Sequence, residues 1–220
     1  MKTKLLTIAM MVALMLAAIT RGQAQEYDGP CLPPMHGLLG DQSALCGSSQ
    51  TLTLSSGTNW VSFNVETTLD DLKAALVEAL PSSTSINIRS QNNGYSTYNG
   101  TRWRGSLNTI DLTQMYMITV PTACEIILEG TPIDSSGHPI TIKNGNNWIV
   151  FPLSTSMALN DAFAGFTVAN GDVIRSQNNG IATYTNRWRG SLSTLEPGQG
   201  YIYKSTATGD KTLIFPTSTR

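Results

Sequence analysis

Apolar and polar residues alternate along short segments of the chain, and the same alternation occurs in both halves. In the first half Val61, Phe63 and Val65 alternate with polar residues. The corresponding positions of the second half are Ile149, Phe151 and Leu153. A period of two places successive side chains on opposite faces of a strand, so one face enters a core. The pattern predicts half-buried β-strands in both halves.

A helical spacing interrupts the strands once in each half. After Thr68, apolar residues recur every three or four positions, which predicts an amphipathic helix with a threonine cap. These residues are Leu69, Leu72, Leu76 and Leu80. The shorter equivalent has Ser156 followed by Leu159, Ala162, Phe163 and Phe166. The predicted fold class is therefore mainly β with one short helix per module, a β-rich α+β fold.

Repeated sequence motifs show that the two halves of the chain are copies of one another. IRSQNNG occurs at 88–94 and 174–180, and RWRGSL occurs at 102–107 and 187–192. The elements keep their order at an offset of about 86 residues, longer than a typical solenoid repeat. We therefore predict two tandem duplicated domains, module 1 at 49–134 and module 2 at 135–220. A Cys-, Pro- and Gly-rich arm at 25–48 precedes them.

The heptapeptide predicts a β-hairpin. Asn93-Gly94 and Asn179-Gly180 each place two residues that tolerate positive φ at the centre of a tight turn. In module 1 the turn would join strands at 86–91 and 95–98. Arg89 and Gln91 lie off the parity of Ile88 and are expected to face solvent.

The Arg-Trp-Arg segments predict one further strand per module, with tryptophan on one face and arginines on the other. The candidate ligand-binding residues are Arg89, Gln91, Arg102, Arg104, Arg175, Gln177, Arg187 and Arg189. They fit either a charged sheet face that resists edge-to-edge association or a hydrogen-bonding platform for a glycan or another anionic partner. Core positions are expected for all four tryptophans, Trp60, Trp103, Trp148 and Trp188.

The N-terminus has the pattern of a secretory signal peptide. Lys2 and Lys4 precede an uncharged apolar run from Leu5 to Ile19, and Gly22-Gln23-Ala24 offers small residues for cleavage. We predict a signal peptide at 1–24 and an extracellular or cell-surface protein. No second apolar run of membrane length follows, so no transmembrane segment is expected in the mature chain.

Charge and motifs argue against nucleic-acid binding and catalysis. The chain has 14 basic and 15 acidic residues. Removal of Lys2, Lys4 and Arg21 with the signal peptide would leave a net charge of about −4, which does not favour binding to nucleic acid. His36 and His138 lie outside the duplicated segments, and no catalytic, phosphate-binding or calcium-binding motif occurs. We predict no enzyme, no cofactor and no metal site, although sequence alone leaves a carboxylate pair for glycoside cleavage open.

Three cysteines leave one unpaired in an exported chain. A Cys31–Cys46 disulfide would close a loop of about 15 residues and stabilise the arm by roughly 3 kcal/mol. Cys124 would then be free, while pairing of either arm cysteine with Cys124 stays open. The three positions lack the spacing of a metal site.

Residues 147–203 contain the segments Asn-Trp-Ile-x-Phe-Pro, Ile-Arg-Ser-Gln, Arg-Trp-Arg-Gly-Ser-Leu and Leu-Glu-Pro-Gly-Gln-Gly-Tyr-Ile-Tyr. These segments resemble a repeat module of secreted and cell-surface Bacteroidetes proteins, and the resemblance covers most of residues 50–217. Module 1 departs from it where Leu112-Thr113-Gln114-Met115-Tyr116 replaces the Pro-Gly-Gln-Gly-Tyr turn. The resemblance implies an extracellular, often multi-module context and no established activity.

These features leave two classes of function. The first is a structural, adhesive or partner-binding surface protein without catalysis. The alternative is a carbohydrate-binding module attached to bacterial glycan uptake or degradation machinery. The expected partner is a surface protein or a glycan, and exposed aromatic rows would favour the glycan.

Overall fold

A computed structural model describes residues 47–82 and 85–216, which contain sixteen strands and two helices. Module 1 contains β1 Ser48–Leu54, β2 Gly57–Val61, α1 Leu69–Ala79, β3 Ile86–Arg89, β4 Tyr95–Tyr98, β5 Trp103–Gly105, β6 Tyr116–Val120 and β7 Cys124–Gly130. Module 2 contains β8 Ile140–Ile142, β9 Gly145–Ile149, β10 Met157–Ala158, α2 Leu159–Ala162, β11 Val173–Ser176, β12 Ile181–Tyr184, β13 Trp188–Gly190, β14 Thr194–Leu195, β15 Tyr201–Ser205 and β16 Lys211–Leu213.

Each module builds one antiparallel five-stranded sheet, and the two sheets correspond strand for strand. The orders are β2-β6-β3-β4-β5 in module 1 and β9-β15-β11-β12-β13 in module 2. A two-stranded ribbon accompanies each sheet, β1-β7 and β8-β16, and module 2 adds β10-β14. The predicted β-rich fold and its tandem duplication are confirmed. In both sheets the central strand, β3 or β11, contains the first residues of the IRSQNNG motif.

The inner face of each sheet packs on its own core, as the alternation predicts. In module 1 the side chains of Val61, Phe63 and Val65 are buried together with apolar residues of α1 and of the β1-β7 ribbon. The predicted strand is shorter than expected, because β2 ends at Val61 and Phe63 lies beyond it. A second cluster, around Phe151 and Phe163, fills module 2. The two clusters share no buried residue, so each module has its own apolar interior.

The first helix begins where the sequence predicts. Asp71 N donates to Thr68 Oγ1 over 3.2 Å, and Thr68 N donates to the Asp71 carboxylate, which together form a capping box. In module 2 the expected cap at Ser156 is wrong. Met157 and Ala158 pair with β14 instead, so α2 starts at Leu159 without a side-chain cap and makes a single turn.

The repeated hairpin is wider than predicted. Arg89 pairs with Tyr95, which leaves a five-residue loop at 90–94 rather than a two-residue turn. Ser90 Oγ accepts a hydrogen bond from Asn93 N at 2.7 Å and thereby closes the loop from inside. Asn93 consequently has no need of positive φ, and only Gly94 adopts it, at +94°. The strand ends at Arg89, two residues earlier than expected.

The glycine of RWRGSL is required by close approach of the backbone. A Cβ atom on Gly105 would lie 2.0 Å from Tyr95 O, and one on Gly190 would lie 2.1 Å from Ile181 O. Both glycines have φ of +145°, a conformation that residues with side chains rarely adopt. Leu107 and Leu192, which follow, are buried in the two cores. The RWRGSL motif therefore determines how the last strand of each hairpin packs against its neighbouring strand and the core.

The tryptophans divide between the two faces of the sheets. Trp103 and Trp188 are half-buried against the cores, with ring centroids 5.2 Å from Tyr98 and 5.4 Å from Phe163 respectively. The expectation of core positions is wrong for Trp60 and Trp148, which belong to neither described core cluster. Their neighbours Val61 and Ile149 take the inward parity, which sends these two rings outward.

The thiol of Cys124 is free and half-buried on β7, whereas Cys31 and Cys46 lie outside the described residues. Register makes Cys124 the counterpart of Lys211 in module 2, because Leu54 pairs with Cys124 and the equivalent Ile142 pairs with Lys211.

We expect alkylation of the native, unreduced protein to modify at most one cysteine, Cys124. Burial raises the pKa of its thiol above 9.0, so labelling should be slow at pH 7 and accelerate as the pH rises. Mass spectrometry of the labelled peptides measures this. Three labelled cysteines would contradict the Cys31–Cys46 disulfide.

Within residues 47–82 and 85–216, no helix is both long and apolar enough to cross a membrane.

Candidate functional site

Each five-stranded sheet turns one face away from its core, and strand pairing aligns large side chains across that face. The first outer row consists of Trp60, Met117, Arg89 and Tyr95, which are directly opposite one another on β2, β6, β3 and β4. The second outer row consists of Trp148, Ile202, Arg175 and Ile181 at the equivalent positions. Both rows therefore contain, in the same order, a tryptophan, a methionine or isoleucine, an arginine and a large apolar residue.

The ends of the two outer rows are unusually exposed for apolar side chains. Tyr95 is 52% exposed and Ile181 is 45% exposed. The only other large apolar side chains with comparable exposure among the described residues are Ile127, on β7, and Ile214, directly after β16. A duplicated apolar residue that stays in solvent is typical of an interaction surface rather than of a fold requirement.

A second line of polar side chains runs beside each outer row. In module 1, Arg104 lies opposite Thr97, which in turn lies opposite Asn87. Asn87 Nδ2 donates to Thr97 Oγ1 at 2.7 Å. In module 2, Arg189 lies opposite Thr183. Hydrogen-bonding groups therefore flank the apolar and cationic row on the same face.

All six candidate arginines are exposed, but their positions in the sheets differ. Arg89 and Arg175 lie on the central strands β3 and β11, whereas Arg104 and Arg189 lie on the edge strands β5 and β13. Arg102 and Arg187 precede those edge strands in the connecting turns. Blocking of a sheet edge explains a charge on β5 or β13. It does not explain an arginine in the middle of a sheet.

Positive charge is segregated onto these faces. The ten strands of the two sheets contain Arg89, Arg104, Arg175, Arg189 and Lys204 but no aspartate or glutamate. No carboxylate in the described part of the chain pairs with any of the four guanidinium groups. A surface with this arrangement attracts anions although the chain as a whole is acidic.

Gln91 and Gln177 do not lie on the outer faces. They extend from the hairpin loops and bind the edge strand of the other module. Gln91 Nε2 donates to Asn146 O at 2.7 Å, and Trp148 N donates to Gln91 Oε1 at 2.6 Å. Gln177 does the same on β2, where its amide binds Thr58 O and Trp60 N. Each glutamine thus replaces a neighbouring strand and closes a sheet edge.

The same junction brings the two outer faces together. The Arg89 guanidinium carbon lies 6.0 Å from the centre of the Trp148 ring, so the first outer row contacts the second. Further contacts lie beneath. Ser62 Oγ donates to Gln199 O at 2.7 Å and accepts from Phe151 N at 3.0 Å. The segment around Gln199 also forms an antiparallel bridge with Val61. The outer rows consequently form one surface with two equivalent halves.

Two polar grooves flank the closed edges. One, of about 370 Å³, lies beside β2 and Gln177, and its counterpart of about 590 Å³ lies beside β9 and Gln91. The carboxylate in the larger groove belongs to Asp111. Both of its oxygens already accept hydrogen bonds, from Thr113 and from Gln114. The grooves are therefore weaker candidates than the outer rows.

Three observations on the described residues bear on catalysis. Among residues 47–82 and 85–216, no group of three His, Cys, Asp or Glu side chains could hold a metal ion. His138 Nδ1 contacts Asp134 O at 2.9 Å in the connection between modules. The buried carboxylate, Asp172, accepts a 2.6 Å hydrogen bond from Tyr203 and two from Thr206. These hydrogen bonds join β15 and the segment before β11 in the core of module 2.

No family model matches the chain, and no curated protein or solved structure matches it either.

Proposed function

We propose that the chain is an exported, non-catalytic binding protein of the cell surface that holds its partner on the two outer rows. The observation that carries the proposal is the arginine at the centre of each sheet, between a tryptophan and an exposed apolar residue. The side chains of these two arginines belong to neither core, and because their strands are central they block no sheet edge.

The composition of the rows supports a binding role. Tryptophan, tyrosine, methionine and arginine are the side chains enriched in protein interfaces, and Trp, Tyr and Arg dominate binding hot spots. Export is supported by the N-terminal segment of residues 1–24, which carries the pattern of a signal peptide. The tandem arrangement adds avidity, because the second half binds at a high effective concentration once the first is engaged.

We expect loss of the central arginines to abolish attachment. Beads coated with the purified chain should bind intact cells of the producing bacterium, and R89S/R175S beads should bind at least about tenfold less, since two charged contacts of about 1.5–3 kcal/mol each are lost. R102S/R187S is the matched control, with the same charge change in the turns that precede the edge strands, and should bind nearly as well as the wild type.

Circular dichroism and thermal melting establish that both variants are folded, as expected for exposed substitutions that change stability by less than about 0.5 kcal/mol. Equal binding by R89S/R175S and wild-type beads, or no binding by wild-type beads, would contradict the proposal.

A further inference from the structure

We infer that the ligand of the outer rows is a linear acidic polysaccharide, one whose sugar rings carry carboxylates. This inference deepens the proposed function and rests on it. Three properties of the surface lead to this ligand class: its size, its uncompensated cations and its exposed rings.

Size argues against a folded protein as the partner. Five strands about 4.8 Å apart and about four residues long make a face of roughly 19 by 14 Å, or about 270 Å². Each partner in a stable protein complex buries about 800 Å². One face alone is therefore smaller than the surface that a folded protein partner typically covers. An extended polymer needs only a narrow track and can follow the junction from one row to the other.

Charge selects an acidic polymer. Arg89 and Arg175 have no carboxylate partner in the described residues, and the strands around them carry no negative charge. A guanidinium group offers a fork of N–H donors that matches both oxygens of a carboxylate. Because the two arginines occupy equivalent positions in the two modules, they can bind repeated carboxylates of one chain.

The rings select a sugar among acidic polymers. Trp60 and Tyr95 lie at the two ends of the first outer row, three strand spacings apart, which is about 14 Å. An aromatic ring presents an apolar face on which the C–H face of a sugar can pack. Beside this row, the Asn87 amide donates one hydrogen bond to Thr97 Oγ1 and keeps its oxygen and its second N–H for sugar hydroxyls. Trp148 continues the track in the second row.

Affinity electrophoresis of the full-length exported chain in gels containing polygalacturonate tests the inference. Neutral dextran and single-stranded oligothymidylate serve as control polymers. We expect retardation by polygalacturonate alone, weakened by added salt because the contact is ionic. R89Q/R175Q should raise the dissociation constant at least about tenfold, whereas R102Q/R187Q, in the turns outside the rows, should raise it less than about threefold. Y95A should weaken binding more than I181A, since the module 2 position lacks a ring.

Each other outcome overturns the inference. Equal retardation by dextran would mean that the carboxylates are not recognised, and equal retardation by oligothymidylate would mean that any polyanion suffices. If polygalacturonate fails while cell binding still depends on Arg89 and Arg175, the ligand class is wrong and the proposed function stands. If cell binding is also unaffected by R89S/R175S, both the inferred ligand class and the proposed function are wrong.

Discussion

Replacing Asp172 by alanine is expected to lower the free energy of unfolding by about 3–5 kcal/mol, because one buried and three partly buried donors lose their acceptor, at up to about 1–3 kcal/mol for the buried one. The carboxylate accepts from Tyr203 Oη at 2.6 Å, Thr206 N at 2.7 Å, Thr206 Oγ1 at 2.8 Å and Ala169 N at 3.0 Å. Urea denaturation followed by fluorescence measures the loss. The exposed Asp210→Ala variant is the control and should change stability by less than about 0.5 kcal/mol.

The same carboxylate should make stability depend on pH. Burial by itself would raise the pKa of Asp172, but hydrogen bonds from Tyr203, Thr206 and Ala169 outweigh it and lower the pKa below 3.8. A group with a lowered folded pKa stabilises the protein above its unfolded pKa of about 3.9, and this contribution disappears as the pH falls through the folded value. The D172A variant should lose less stability than the wild type below about pH 4. Parallel acid profiles would contradict this role.

Module 1 shows that the fold does not require this polar network. Strand register places Ile118 at the position of Tyr203, and Ile86 at the position of Asp172. Both isoleucines are fully buried. Two apolar residues therefore fill the space that a hydrogen-bonded carboxylate and phenol fill in module 2. The two modules therefore share the repeated sequence motifs IRSQNNG and RWRGSL but differ in these buried residues of their cores.

Local chemistry made much of the fold predictable. Alternation identified Val61, Phe63 and Val65 as buried positions, and Thr68 with Asp71 marked the start of the first helix. The repeated RWRGSL placed the same strand in both modules. These features depend on residues a few positions apart. The hairpin loop was mispredicted because Ser90 closes it through a side-chain hydrogen bond, which competes with the turn that Asn-Gly favours.

Long-range pairing could not be read from the sequence. Parity placed Arg89 and Arg175 in solvent, but it could not show that their strands are central, because β6 inserts between β2 and β3. The partners of Gln91 and Gln177 lie more than 50 residues away along the chain. Sequence reasoning therefore grouped two interface glutamines with the arginines, although only the arginines lie on the outer faces. The repetition of Gln in both copies was the available signal for a symmetric interface.

The interface between modules should respond strongly to change at two equivalent residues, Met115 and Gly200. Each immediately precedes the buried tyrosine of its module, Tyr116 or Tyr201. A Cβ atom on Gly200 would lie 2.5 Å from Met115 Sδ and 2.6 Å from Met115 Cβ. Equivalent residues that contact each other lie on the local two-fold axis, where the same patch meets itself. Here a long side chain on one copy fills the space that a missing side chain leaves on the other.

We expect Met115→Ala to destabilise the chain by about 2–5 kcal/mol through the cavity it leaves. Gly200→Ala should cost about 1–3 kcal/mol, because Met115 is fully buried and has little room to move. The double variant should be more stable than the sum of the two losses predicts, by about 1 kcal/mol or more, since the new methyl group occupies part of the cavity. Urea denaturation of all four proteins measures the coupling, and Met117→Ala, half-buried on the outer face, is the control for loss of a methionine. Strict additivity would mean that Met115 and Gly200 do not touch, and the modules would then not pack about this axis.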